Sequence, residues 1–441
     1  MEMELNWNRG IRALFRNRGK KQPLGLSNAS MSCYINSVLQ CLTYTPPLAN
    51  YCLQRKHLST CTKSDNKTEC PMCLLEDRIV RSLSVANVES EAPESITSNL
   101  KVFANYLSPD EETDAQEFLD CVINACEECE ESNVSPNTKF LNKLFLSVQR
   151  TIKRCSLCGN SSRSDETVNY FPLPLSLPDG SLTAPDVVIN LNETLNRYFT
   201  TEYLNGSTPC VKCKRVSQIS IDRSISKPPN VLLLTLQRFW TDMNNFSNSK
   251  KISNFVQFPQ SLSLTRYLTS PDEGEDYVYS LYAIIVHRGI SMFSGHYVAY
   301  VKDADNYWFQ CNDETVTPAT KEDVSKVQKN VYMLFYIRQT VPKNDGATGN
   351  DIRQTVPKSD GVTCNNIEST LSVNPSDTTM SENPTCNKNS TLSLSPIPTI
   401  SSASTGAVIS MSKEEEEVNI LVVPTTFGRT KRKFSTRKAA P

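Results

Sequence analysis

Apolar residues recur with helical spacing just after Cys33, where Val38, Leu39 and Leu42 fall on one side of a short helix that Pro46-Pro47 is expected to stop. The same spacing returns at Phe118, Leu119, Val122 and Ile123, so a helix is predicted to open at Asp114-Ala-Gln-Glu117. A third helix-like stretch runs from Leu191 to Leu204. The pattern changes in Pro228-Pro-Asn-Val-Leu-Leu-Leu-Thr-Leu-Gln-Arg-Phe239, where alternate and adjacent aliphatics after a proline stop read as a buried strand. Tyr277 to Val286 is a mostly apolar strand, broken by His287-Arg-Gly289; Gly295-His296 begins another that ends near Lys302. Asp303-Ala-Asp-Asn306 supplies a turn and Tyr307 to Cys311 a return strand, giving a hairpin folded about Ala304 and Asp305.

Both ends of the chain depart from this patterning. Arg9, Arg12, Arg16, Arg18, Lys20 and Lys21 crowd the first segment, and 1–22 is expected to be a solvated basic arm. From Ile337 the chain loses aromatics and gains Ser, Thr, Asn and Pro, and Ile337-Arg-Gln-Thr-Val-Pro-Lys343 recurs as Ile352-Arg-Gln-Thr-Val-Pro-Lys358. Such a segment cannot bury enough apolar surface to offset backbone ordering, about 1–2 kcal/mol per residue, so 339–441 is expected to be a disordered tail. Glu414 to Glu417 form an acidic run near its tip, and Lys431-Arg-Lys433 with Arg437-Lys438 a basic one suited to nuclear import or nucleic-acid contact.

Composition narrows the class. With 46 basic and 47 acidic residues among 441, the chain carries no bulk charge, so nucleic acid is expected to bind only weakly and through the basic ends. It has no run of eighteen apolar residues and no apolar leader with a cleavage site; no membrane partner is expected, and the location is expected to be intracellular, nuclear and/or cytoplasmic. Several of the 16 cysteines fall in CxxC pairs, which favours metal or catalytic use over disulfides.

Cys155-Ser-Leu-Cys158 and Cys210-Val-Lys-Cys213 are two such pairs, and four thiolates make a tetrahedral structural zinc set. The long interval between them makes an interrupted ribbon, unlike a compact zinc finger. His57, Cys61, Cys70 and Cys73 have the chemistry of a second set. Neither ion would serve catalysis, because a thiol supplies the nucleophile. Cys33 stands at a helix start, where Ser30 or Ser32 can cap the first turn, and amide dipoles with a neighbouring imidazolium lower a thiol pKa. The chain has only three histidines, and the hairpin brings His296 opposite Asn312 or Asp313. Side chains alternate along a strand, so only one of the two faces the imidazole, and a one-residue slip exchanges them. Asp114 with Glu117 is a near-match to a capping box, which accounts for both carboxylates.

The Gly25-Leu-x-Asn28, Cys33-Tyr-x-Asn-Ser37 and Leu39-Gln40 elements resemble the cysteine box of the ubiquitin-specific proteases, papain-like deubiquitinases, and Ser294-Gly-His-Tyr-Val-Ala-Tyr300 is similar to their histidine box. The likeness extends from about Pro23 to Arg338 and includes the strands containing Val231–Leu236 and Val331–Tyr336. It implies an α+β, papain-like cysteine protease fold with a helical thumb, a palm and zinc-tied fingers at about 147–227, within a catalytic domain at 23–338. It implies a thiol-dependent deubiquitinase that cleaves the isopeptide bond between the ubiquitin C-terminal glycine and a lysine amine through an acyl-enzyme at Cys33. His296 would be the base, Asn312 its orienter, Asp313 an auxiliary and Asn28 the oxyanion donor. Asp114 and Glu117 would grip the arginine-rich tail of ubiquitin. His287 falls in a His-x-Gly element outside the triad and is expected to be structural. Ubiquitin and ubiquitinated proteins would be the partners of a monomer. The sequence departs from the family at Ser30 (usually Gly), Ser32 (usually Thr) and Thr113 (usually Gln), and Ser30, Met31 and Thr113 motivate the alternative of a weak or inactive ubiquitin-binding pseudoenzyme.

Overall fold

The computed structural model describes residues 3–7, 12, 22–28, 31–61, 68–131, 139–177, 180–204, 209–240, 250–271, 275–289 and 294–339. All of these belong to one compact unit, Met1–Gly349. The expected disordered tail beyond Gln339, with its second repeat copy and basic tip, lies outside the described residues, as does most of the basic arm.

Helix α1 (Cys33–Thr43) is buried at all eleven of its residues, so it is a core rod where a one-sided helix was expected. Its polar side chains are tied off internally: Asn36 Nδ2 donates to Leu26 O at 2.9 Å and Gln40 Nε2 to Leu24 O at 2.7 Å. Pro46-Pro47 does stop it, but also opens α2 (Pro46–Leu53), because a proline in the first turn gives up only an N–H that has no helical partner. Pro71 plays the same part in α3 (Pro71–Ser84), and α4 (Ala115–Glu131) completes the helical thumb. Leu5 and Trp7 are both buried, and Trp7 packs against this group, its ring edge-on to Tyr44 at 6.3 Å between centroids, with Asn50 Nδ2 donating to Asn6 O at 2.9 Å. The start of the arm is therefore packed rather than solvated, its two large apolar side chains outweighing the polar residues around them.

The chain then forms β1 (Ser147–Cys155), β2 (Ser161–Val168), β3 (Phe171–Pro174), helix α5 (Leu191–Phe199), β4 (Glu202–Leu204), β5 (Ile219–Lys227) and β6 (Val231–Gln237). It continues with β7 (Ser261–Ser263), β8 (Val278–Arg288), β9 (His296–Lys302), β10 (Trp308–Asn312), β11 (Thr315–Ala319) and β12 (Val331–Arg338). The stretch Leu191 to Leu204 is thus a helix followed by a strand. Strands run β11-β10-β9-β8-β12-β6-β3 across the palm, with β7 added on β8, and β2-β1-β5-β4 across the fingers. β6 is buried at its first six residues, as expected of a strand flanked by β12 and β3. Immediately after it, Arg238 is completely buried, and its guanidinium donates to the carbonyls of Ile252 (2.8 Å), Asn254 (3.1 Å), Gln328 (3.0 Å) and Val331. Burial lowers its pKa to about 10.

Candidate active site

Cys33 is the first residue of α1 and is buried. Ser32 occupies the cap position without bonding the helix N–H groups; its hydroxyl instead donates to Asn28 Oδ1 at 3.2 Å. Ser30, the other expected cap, lies outside the described residues. Burial raises the Cys33 pKa above the ordinary thiol value, opposed by the backbone N–H groups of Tyr297 and Tyr34 that face the sulfur. Desolvation outweighs these amide donors in the resting site, so forming the thiolate depends on a nearby proton acceptor.

That acceptor stands one residue before Tyr297. His296 opens β9 and pairs with Arg288 of β8. The β9–β10 register, Ala299↔Cys311 and Tyr300↔Gln310, centres the hairpin on Asp305, offset by one residue from the expected fold about Ala304 and Asp305. Continued, it sets Asn312 level with Val298, from which its side chain reaches His296 diagonally: His296 Nε2 lies 2.6 Å from Asn312 Oδ1. Nδ1 is then the ring nitrogen left for the thiol.

Asp313 takes a different direction because its backbone is left-handed (φ 51°). Its Oδ2 is 3.7 Å from His296 Nε2, too far for a hydrogen bond, and accepts instead from Asn28 Nδ2 at 2.9 Å. Its Oδ1 accepts from Asn36 Nδ2 at 2.8 Å, and its carbonyl accepts from Leu26 N at 2.9 Å. Asn28 Oδ1 also accepts from Ser32 N at 2.8 Å. One N–H of the Asn28 amide is thus held by Asp313, and the second is the donor left for a ligand. Asn36 has no role in the sequence reading, yet it joins the nucleophile's helix to Asp313; a polar residue within a wholly buried helix is the signal that could have found it.

Beneath this layer, Asp114 caps α4 by accepting from Gln116 N (2.8 Å) and Glu117 N (3.3 Å). It also accepts from the hydroxyls of Tyr297 (2.9 Å) and Tyr332 (2.7 Å), tying the thumb to the palm. Tyr297 and Tyr332 are further residues that the sequence reading missed. Glu117 is exposed and accepts from Tyr106 at 2.8 Å. His287 is buried among Tyr297, Phe239 and Tyr332, with ring centroids 4.7, 5.5 and 6.5 Å away. Burial, then Lys251 and Arg238, lower its pKa to about 4, which keeps it neutral.

Two further clusters assemble away from the cleft. The donor atoms of Cys155, Cys158, Cys210 and Cys213 all lie within 4.8 Å of one another, as do those of His57, Cys61, Cys70 and Cys73. Sulfur separations of 4.0 Å (Cys155 to Cys213) and 3.8 Å (Cys158 to Cys210) are close to the ~3.8 Å that four thiolates adopt around a tetrahedral ion with ~2.3 Å metal–sulfur bonds. In the other cluster, Cys70 Sγ lies 3.2 Å from His57 Nε2, 3.7 Å from Cys61 Sγ and 3.1 Å from Cys129 Sγ, a neighbour unforeseen from sequence. These cysteines are all free thiols, so both sets can hold a metal ion such as zinc.

The family model described as "Ubiquitin carboxyl-terminal hydrolase" matches residues 24–336. Ubiquitin carboxyl-terminal hydrolase 25 of Arabidopsis thaliana is 33% identical over 374 residues, 80% of this chain and 53% of that protein. Ubiquitin carboxyl-terminal hydrolase 42 of Homo sapiens is 32% identical over 336 residues, 73% of this chain and 23% of that protein. The chain therefore spans about half the length of the former and a quarter of the latter. Among solved structures, a chain of the SAGA Ubp8/Sgf11/Sus1/Sgf73 DUB module bound to ubiquitin aldehyde aligns with a TM-score of 0.61 at 23% identity, covering 72% of this chain and 70% of that one. A chain of the Ubp8-Sgf11-Sgf73-Sus1 SAGA DUB module aligns with a TM-score of 0.58 at 24% identity, over 74% of this chain and 69% of that one.

Proposed function

This chain belongs to the ubiquitin carboxyl-terminal hydrolase family, and on that premise we propose that it is a thiol-dependent deubiquitinase acting on isopeptide bonds between the ubiquitin C-terminal glycine and lysine amines. What carries the reading is the 2.6 Å contact of His296 with Asn312 beside a sulfur faced by the Tyr297 amide. His296 Nδ1 takes the Cys33 proton, and the thiolate adds to the scissile carbonyl. The second N–H of Asn28 donates to the oxyanion, while Asp313 holds that amide in place. Collapse expels the lysine amine, which leaves with the proton from the imidazolium. Water, deprotonated by His296, then hydrolyses the thioester, releasing the ubiquitin carboxylate and restoring the thiol.

Glu117 presents an exposed carboxylate to the arginine-rich ubiquitin tail, while Asp114 braces the helix that carries it. The catalytic domain is 23–338 and the fingers 147–227, between the basic segment 1–22 and a tail from 339. Zinc on the four finger cysteines would tie β1 to the segment before β5, and a second ion would suit His57, Cys61, Cys70 and Cys73. The protein works as a monomer on ubiquitinated proteins inside the cell, in nucleus or cytoplasm.

A ubiquitin derivative with a C-terminal electrophile tests this directly. The wild type should form a covalent adduct at Cys33, located by peptide mass spectrometry, and Cys33→Ala should form none. The competing reading is a pseudoenzyme, which the departures at Ser30, Met31 and Thr113 would suit; reversible ubiquitin binding with no adduct in the wild type would select it.

A further inference from the structure

The β8–β12 pairing ends at Val286↔Val331, and β8 runs on through His287 and Arg288. His287 N still donates to Asn330 O at 2.9 Å. The acceptors beyond it, His287 O and Gly289 O, are both taken by Lys251 Nζ, each at 2.7 Å. Lys251 is brought there by the short hairpin Phe239–Trp240 with Lys250–Lys251, in which it pairs with Phe239, whose ring lies against His287. Its ammonium thus takes the place of a strand that is no longer present.

The carbonyls it holds sit at a narrow neck. The chain leaves β8 at Gly289 and returns at Ser294-Gly295, directly before His296. A Cβ on Gly289 would come 2.4 Å from Ser294 O and 2.7 Å from Gly295 Cα, so the two sides meet backbone against backbone. A Cβ on Gly295 would come 2.0 Å from His287 Nε2, so the neck also rests on that ring. The neck thus leaves no room for a side chain at either glycine, and Lys251 holds both carbonyls on one side of it.

We propose that Lys251 is a positioning residue: by holding the carbonyls of His287 and Gly289 it fixes the neck from which His296 is presented to Cys33. The inference rests on the hydrolase reading given above. Among the described residues no carboxylate pairs with Lys251. Burial, together with the nearby Arg238 charge, lowers its pKa to about 8, so the cation is kept in an unfavourable place that these carbonyls make tolerable.

The test uses the full chain and a ubiquitin bearing a fluorogenic amine on its C-terminal carboxyl. Lys251→Met keeps the aliphatic stem and removes the donors; Lys251→Gln keeps a neutral one. For Lys251→Met, kcat should fall at least about tenfold with KM within about twofold, the loss expected when charge-assisted hydrogen bonds to a positioning element are removed. Lys251→Gln should recover part of the loss. Amide hydrogen exchange in the Lys251→Met protein should rise in peptides covering 287–289 and 294–297 and nowhere else. A folded Lys251→Met protein with wild-type kcat overturns the proposal, as does a rise in KM alone. Exchange that increases throughout the domain also overturns it, since that marks a general loss of stability. If Lys251→Met does not fold, Lys251→Gln carries the test, and wild-type kcat with unchanged exchange refutes it. A wild type that never turns over the substrate counts against the hydrolase reading, and the exchange comparison then still decides whether Lys251 holds the neck.

Discussion

Asn312 and Asp313 are interchangeable in a hairpin read from sequence, but have different partners in the fold. Strand alternation describes Asn312; the left-handed backbone of Asp313 ends that alternation and directs its carboxylate to Asn28 and Asn36. Strand periodicity leaves open which of the two touches the imidazole, while the family resemblance points to Asn312, the residue that stands 2.6 Å from it. Met31 is a similar case two residues before the nucleophile, exposed and left-handed at φ 49°. Asn tolerates that region better than an unbranched apolar side chain, so Met31→Asn should raise stability by about 1 kcal/mol, read from the denaturant midpoint. His287 gives a prediction in pH. Its folded pKa of about 4 lies below the ordinary 6.5, so the unfolded chain binds more protons between those values. The stability it lends is complete above about pH 6.5 and is lost as pH falls toward 4. Asp120, whose pKa burial raises to about 7, acts oppositely, because its contribution is lost as pH rises through that value. A comparison of variants separates them: the stability deficit of His287→Phe at pH 7 should narrow by about 2 kcal/mol at pH 5, measured by chemical denaturation.

At the level of elements, what could be read from sequence follows how local the governing interaction is. The CxxC pairs and the capping Asp114 are specified within a few residues and stand in the structure where the spacing puts them, while the β9–β10 turn forms with its register one residue away from the expected one. Tertiary contacts set the rest. β8 continues through the expected break because aromatic rings enclose His287, and Leu191 to Leu204 divides because Glu202–Leu204 finds β5 as a partner. α1 buries its polar residues as well as its apolar side, with Asn36 and Gln40 bonded to backbone carbonyls of the preceding segment. The metal reading is testable at this scale. Cys210→Ser should reduce bound zinc by about one ion per chain, measured by elemental analysis. It should raise KM for ubiquitin substrates more than it lowers kcat, since the cluster lies in the fingers and not beside Cys33.

The whole molecule brings together groups that the chain keeps far apart. Cys33 lies on a thumb helix, His296 and Asn312 lie on palm strands, and Asp114 and Asp313 link the two through Tyr297, Tyr332, Asn28 and Asn36. The motifs name Cys33, His296, Asn312, Asn28, Asp313 and Asp114 but not Asn36, Tyr297 or Tyr332, and the assembly of all of them depends on long-range pairings that no local pattern specifies. The same dependence extends upstream of the first motif. Trp7 is buried against Tyr44, and Trp7→Ala should cost about 3 kcal/mol, detected as a lower unfolding midpoint. A fragment trimmed to the start of the family match at residue 24 would lack this wedge, taking the Trp7 ring from Tyr44 and the Asn6 acceptor from the Asn50 amide. The stretch that the family pattern describes and the stretch whose side chains pack together are therefore different lengths of chain, and the second is the longer.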